Sequence, residues 1–299
     1  MADNKPTKAA SLEPQIQAGN PFRAVFPVIA ILVCAVVSFA AYYIGCGNET
    51  NFQGGPEAKA VYQQWVDGGK NGEEPPHWTK GNPANTLGLV YKGGFIIPIG
   101  LTLILTLFTF VIERGITIFR ANGRGNADVF VKKVRMKLSQ GDVDGAVAIC
   151  DQQKGSVGNV IKAGLRKYKE MEAAVGLEKE QRKSAIQAEL EEATMLELPM
   201  LERNLPIIAT TASLGTLVGL IGTVLGMIRA FSALGEGGAP NAAELSVGIS
   251  EALVNTALGI TTSALSILFY NFFTTRIDGM TYAMDEAGYS IVQTFDVRN

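Results

Sequence analysis

Glu251 borders an otherwise uncharged apolar run, Ala252 to Thr275. A charged side chain at a bilayer centre costs at least about 2.5–3.5 kcal/mol, so such a group normally faces a cavity or a partner. Arg229 lies about as far before the turn near Pro240 as Glu251 lies after it. The two are therefore expected at similar depth at an outer mouth, either as a pair or in separate roles. Thr223, Asn255 and Thr256 can donate and accept hydrogen bonds, but they do not hold a proton at physiological pH as a side-chain acid would. No carboxylate falls near the middle of any apolar run. A proton path through this chain needs its relay carboxylate from another chain, or water, and a partner helix is implied.

These residues sit on stripes. Ala212, Thr216, Gly219, Thr223, Gly226 and Ala230 recur at spacings of 4, 3, 4, 3 and 4, which puts small and hydroxyl side chains on one helical face. Gly215 with Gly219, and Gly222 with Gly226, form small-xxx-small pairs that let neighbouring helices approach closely. A second face carries Gly248, Ala252, Asn255, Gly259, Thr262 or Ser263, and Ser266, with Thr256 at its margin. Plain helix packing explains either stripe alone. Two adjacent stripes, one beside an intramembrane carboxylate, favour a lined pathway.

The elements that position these stripes are membrane crossings. Ala24 to Ile44 carries no charge and, at about 1.5 Å per residue, is about 31 Å long, the thickness of a hydrocarbon core. Phe95 to Ile112, Leu205 to Ile228 and Ala252 to Thr275 are the other three runs. Soluble proteins rarely bury helices that stay uncharged for so long. Between Arg120 and Lys137 there are six basic residues against one acid, Asp128, whereas residues 47–94 hold four in a much longer stretch. Basic loops stay on the cytoplasmic side, so residues 120–204, the N-terminus with Lys5, Lys8 and Arg23, and the tail from Arg276 are expected inside. The expected divisions are a tail (1–23), an extra transmembrane helix (24–46), an outer loop (47–94), a crossing (95–119), an inner helical domain (120–204), a crossing (205–232), an outer turn (233–244), a crossing (245–275) and an inner tail (276–299). Gly45-Cys46 superficially resembles a lipoprotein cleavage site, but the apolar region is too long and begins too late for a cleaved signal.

Outside the membrane, Glu57 to Val66 is a short helical candidate in the turn-rich outer loop, and His77 beside Trp78 is assigned no chemistry. Val129, Val131, Val134 and Leu138, then Ala146, Ile149 and Cys150, then Val160, Ile161, Gly164, Leu165 and Tyr168 mark three helical stretches. Glu178 to Asn204 reads as one charged helix that runs into the third crossing, with Pro199 and Pro206 as kinks. Its acids, Glu189, Glu191, Glu192, Glu197 and Glu202, form a solvated or cavity-lining face.

Composition excludes several classes. In 299 residues, 18% are charged, against about 25% in soluble domains, and mean hydropathy is +0.18. Lys and Arg number 26 against 28 Asp and Glu, so no basic excess suits nucleic acid. Three cysteines make no disulfide framework, one His anchors no multi-histidine metal site, and no cofactor is expected. An enzyme is not expected either, because no nucleophile–base pair, phosphate loop or metal cluster is present.

Leu220-Ile221-Gly222-Thr223-Val224-Leu225-Gly226-Met227-Ile228 and Ile249-Ser250-Glu251-Ala252-Leu253-Val254-Asn255-Thr256-Ala257-Leu258-Gly259 closely resemble the signature helices of the MotA/TolQ/ExbB proton-channel family. Ile112-Glu113-Arg114, Gly141-Asp142 to Cys150, and Leu201-Glu202-Arg203 add to the resemblance, which covers roughly residues 95–275 and is closest to the ExbB branch. It implies an all-α, multi-pass protein of the bacterial inner membrane with a three-helix core, to which the four crossings read from the apolar runs add one N-terminal helix. It further implies a homopentamer around an ExbD-like single-span partner whose aspartate takes protons through the ring, with motion passed to a TonB-like protein. Thr223, Thr256 and Glu251 take the family's pathway positions, with Asn255 and Thr216 beside them and Arg229 at the outer mouth. Thr216 departs from the family, which commonly has a proline there. Residues 1–94 gain no role from the resemblance. The expected function is a ring subunit that energises outer-membrane transport from the proton gradient. The alternatives are a TolQ-like or motility stator, or a non-conducting membrane scaffold.

Overall fold

The computed structural model describes residues 21–68, 75, 77–235 and 242–298. Lys5 and Lys8, Pro76 and the turn near Pro240 lie outside them. The described residues form an all-α membrane protein. In chain order the helices are α1 (Pro21–Ala40), α2 (Gly55–Asp67), α3 (Thr86–Tyr91), α4 (Ile96–Ala121), α5 (Ala127–Ser139), α6 (Val143–Gln153), α7 (Gly155–Ala173), α8 (Lys179–Glu202), α9 (Leu205–Gly235) and α10 (Ala242–Arg298). Among the described residues, four stretches are long and apolar enough to cross a bilayer, within Val25–Cys46, Ile96–Ala121, Lys179–Ala233 and Glu244–Arg298.

The first crossing, α1, leaves most of its Val, Ile and Leu exposed, as a lipid-facing helix should. It leans on α4 through an edge-to-face contact of Phe26 with Phe110, ring centroids 6.3 Å apart, and through Cys34 and Thr109 at 3.4 Å. Its last turn widens into a π-helical segment, Ala41–Cys46, which buries Tyr42 and Cys46. In the outer loop, the expected short helix is α2. The further helix α3 carries too short a pattern to be seen in sequence and is started by Asn85, whose side chain accepts from the Gly88 N–H at 3.0 Å.

Two expectations about the other end need correction. The charged helix does not run through kinks at Pro199 and Pro206 into the third crossing. Pro199 lies inside α8, and the chain breaks between the prolines, at Arg203–Asn204, where Asn204 has φ +64°. A proline disfavours helical backbone in the residue before it and needs no N–H partner in a first turn, so Pro206 opens α9 rather than bending a continuous rod. Arg114, only 2% exposed, closes the break. Its guanidinium pairs with Glu113 at 2.5 Å and donates to the carbonyls of Met200 and Leu201, both at 3.4 Å. Glu113 also accepts from the Asn204 amide at 3.3 Å. Carbonyls at a helix end lack intrahelical partners, and the buried cation supplies one.

Residues 276–298 are not a separate tail. They are the last part of α10, a single helix of 57 residues and about 85 Å. Ile277, Met280, Met284, Ala287, Ile291 and Phe295 recur at three- and four-residue spacing and are buried against α5, α7 and α8. Tyr168 meets Phe295 edge to face at 5.0 Å, among the fully buried Leu138, Ile161, Leu165 and Ile186. The acids of α8 divide: Glu191, Glu192 and Glu202 are exposed, while Glu189 and Glu197 are half-buried and Glu197 accepts from Asn159 at 2.9 Å. Outside the membrane, Cys150 is buried, and that burial pushes its thiol up to about 12.

Phe295→Ala is expected to lower the unfolding free energy of the detergent-solubilised protein by about 3–5 kcal/mol, because it empties a fully buried aromatic site. Denaturant unfolding followed by tyrosine fluorescence measures it.

Candidate functional site: a glycine seam ending at a buried ion pair

Helices α9 and α10 meet backbone to backbone. A Cβ added at Gly259 would lie 2.6 Å from the Gly215 carbonyl oxygen and 2.7 Å from the Gly219 Cα. One added at Gly226 would lie 2.7 Å from the Ala252 nitrogen and 2.8 Å from the Gly248 carbonyl oxygen. Real side chains do not tolerate such distances, so the seam exists only because these positions carry no Cβ. Gly215, Gly219, Gly222, Gly226 and Gly259 are all buried in it. Thr262 and Ser266 continue the α10 face, and their hydroxyls donate to the carbonyls of Leu258 and Thr262, each at 2.8 Å.

The stripe expected on α9 is split. Its glycines and Ala230 face α10, Thr216 is exposed, and Thr223 is half-buried at the border of an open concavity with Val224, Met227 and Phe231. Thr223 donates to the Leu220 carbonyl at 2.6 Å, Thr256 to that of Ala252 at 2.9 Å, and Thr216 to that of Ala212 at 3.5 Å. Each hydroxyl proton is thus engaged with a carbonyl of its own helix, leaving oxygen lone pairs to accept from outside.

At the end of the seam nearest the outer loop, Arg229 and Glu251 form an ion pair. Of the two arrangements expected for them, pairing is the one observed. The pair is lopsided: the Arg229 side chain is 58% exposed and that of Glu251 is 4% exposed. One turn further along, Asn255 is 2% exposed, and its amide donates to the Gly93 carbonyl at 2.9 Å. The Asn255 Oδ1 is buried with no partner among the described residues. Gly94, at φ +75°, lies so close under Glu251 that a Cβ there would overlap the carboxylate. The floor of the site is therefore the Gly93–Gly94 turn at the end of the outer loop. No residue type announced its role. Adjacent glycines mark any sharp turn, and only the fold brings this one beneath Glu251.

The molecule is a helical, multi-pass membrane protein in which two glycine-packed crossings lead to a buried carboxylate paired with an exposed arginine. Residues 152–286, from the end of α6 through most of α10, match the MotA/TolQ/ExbB proton channel family. The chain is 44% identical to the putative biopolymer transport protein ExbB-like 3 of Synechocystis sp. over 86 residues, 28% of this chain and 41% of that one. It is 44% identical to the biopolymer transport protein ExbB of Aquifex aeolicus over 77 residues, 26% of this chain and 52% of that one. To the Tol-Pal system protein TolQ of Pseudomonas aeruginosa it is 29% identical over 120 residues, 40% of this chain and 52% of that one. The chain thus spans about half or less of the length of these relatives.

Removing one member of the pair leaves a charge behind, and removing both does not. Arg229→Ala is expected to cost more stability than the double substitution Arg229→Ala with Glu251→Gln, by about 1–2 kcal/mol. Gly226→Val is expected to force α9 and α10 apart. The distance between spin labels at the exposed Leu220 of α9 and Leu253 of α10, measured by pulsed electron paramagnetic resonance, reads that separation as a lengthening.

Proposed function

We propose that this chain is the ring-forming subunit of a proton-driven energiser in the bacterial inner membrane, working with a single-span ExbD-like partner that carries the membrane aspartate. The observation that carries it is the placing of Thr223 and Thr256. They flank the packed seam of a proton-channel-family core, half-buried in one copy, with oxygen lone pairs open to a neighbour. Protons would pass from the outer side, past Glu251 and Arg229, to the partner aspartate that Thr223 and Thr256 face inside the ring, while Asn255, buried against Gly93, would hold the wall behind them. Thr216, exposed on α9, would add a hydroxyl to that cavity. The chain itself would catalyse no covalent chemistry. The basic cluster from Arg120 to Lys137 supports cytoplasmic N- and C-termini and an outer loop facing the periplasm.

The work available is adequate. One charge falling through 100 mV releases about 2.3 kcal/mol, comparable with one or two charge-assisted hydrogen bonds. Each proton could release a polar latch between ring and partner, and a pentameric ring could pass the resulting motion to a TonB-like protein to drive outer-membrane uptake. The similarity to a TolQ supports a second assignment within the same mechanism, in which the motion serves envelope integrity.

Thr223→Val and Thr256→Val keep side-chain shape and remove the hydroxyl. In vesicles holding this chain with its partner, each is expected to leave assembly intact and to reduce proton flux by at least about tenfold. Full flux in both variants would overturn the pathway, and no flux in the wild-type complex would favour a scaffold.

A further inference from the structure

The first helix and the outer loop lie outside the segment matched to the family, yet they build the floor beneath Glu251. Tyr42, in the π-helical turn that ends α1, is 4% exposed. Its hydroxyl lies 2.9 Å from the carbonyl oxygen of Tyr91 and 3.0 Å from that of Gly94, so one O–H proton is shared between the two ends of a tight turn. Its ring stacks on Tyr91, centroids 4.8 Å apart and planes 14° from parallel. The turn's remaining glycine carbonyl, that of Gly93, accepts the Asn255 amide, and the Gly94 Cα lies against the Glu251 carboxylate. Tyr42 and Asn255 therefore hold the turn from opposite sides.

The clamp is itself braced. Asn51 donates to the carbonyls of Gly45 at 2.8 Å and Cys46 at 3.0 Å, just past Tyr42, and accepts from Asn85 at 2.8 Å. The Trp78 indole N–H donates to the Gly47 carbonyl at 2.9 Å. Hydrogen bonds thus tie the outer loop to the end of α1 and, through Tyr42, the end of α1 to the Gly93–Gly94 turn, whose Gly94 packs against the carboxylate. Glu251 is paired with Arg229 from α9, and Tyr42 from the end of α1 reaches the turn on which the carboxylate rests.

We propose that Tyr42 is a positioning residue: by clamping the Gly93–Gly94 turn it sets the seat of the Glu251 carboxylate, and through it the first helix and the outer loop control the outer end of the path. The link to proton flow rests on the function proposed above, whereas the link to Glu251 does not.

The test uses the full chain reconstituted with its partner and two readouts. One is the isotope-edited infrared band of the Glu251 carboxyl, identified by its loss in Glu251→Gln, and the other is proton flux. Tyr42→Phe keeps the ring stack and removes only the hydroxyl. It is expected to shift the Glu251 band and to lower flux about three- to tenfold, the effect of one hydrogen bond. Tyr62→Phe, which removes a hydroxyl from α2 away from the turn, is expected to leave the band in place. A shifted band in a complex whose wild type carries no flux would uphold the positioning role and remove the channel function. An unmoved band in Tyr42→Phe, with wild-type flux intact, would overturn the positioning role and leave the channel standing. Should Tyr42→Phe fail to assemble, Gly94→Ala presses on the carboxylate from the same turn, and an unmoved band there would equally overturn it.

Discussion

Backbone contact between α9 and α10 is the constraint on which the site depends. Lipid tails are as apolar as leucine, so two crossings gain little from hydrophobicity by associating, and close van der Waals contact has to hold them. Such contact is available only where Cβ atoms are missing, and Gly215, Gly219, Gly226, Gly248 and Gly259 provide it. Once the helices touch along this line, little rotational freedom is left to either. Asn255 and Glu251 are turned towards α4, Thr223 and Thr256 are left at the flanks, and the ion pair closes the end of the seam.

The same rigidity extends in both directions. Towards the outer loop, the Gly93–Gly94 turn, held between Tyr42 and Asn255, ties the extra first helix to the α9–α10 pair. Away from it, α10 continues without a break into the helical domain beside α5, α7 and α8. The parallel route through α8 and α9 is interrupted at Arg203–Asn204 and bridged by Arg114 and Glu113. One helix is thus a continuous strut between the buried carboxylate and the distal core, and its neighbour is jointed.

Much of this was legible in the chain. Four crossings follow from uncharged runs of bilayer length, because the bilayer leaves a backbone few ways to satisfy its polar groups. The helices of the distal domain follow from three- and four-residue spacing of apolar residues. The importance of Glu251 follows from the cost of a charge at that depth. Less legible were elements whose signals are local and ambiguous. The spacing of Ile277, Met284, Ile291 and Phe295 is the same kind of signal, but it follows a crossing that already ends at a charge, Arg276, and so reads as a tail. Two prolines bracketing Arg203–Asn204 pointed to kinks, whereas the chain breaks at the residues between them.

Residue types and spacing alone thus determined the class of protein, the two helices that matter and the charged residues at their outer end. These follow from one-dimensional facts: length, charge and period. Which way each face turns is decided by contacts between residues far apart in the chain, and only the folded molecule holds those. The split of the α9 stripe, the pairing of Arg229 with Glu251 across 22 residues, and the reach of Asn255 to Gly93 across 162 are all of this kind. Tyr42 is the extreme case: nothing in its neighbourhood of the sequence marks it, and its place beneath the carboxylate exists only because α1, α4 and α10 converge on a single turn.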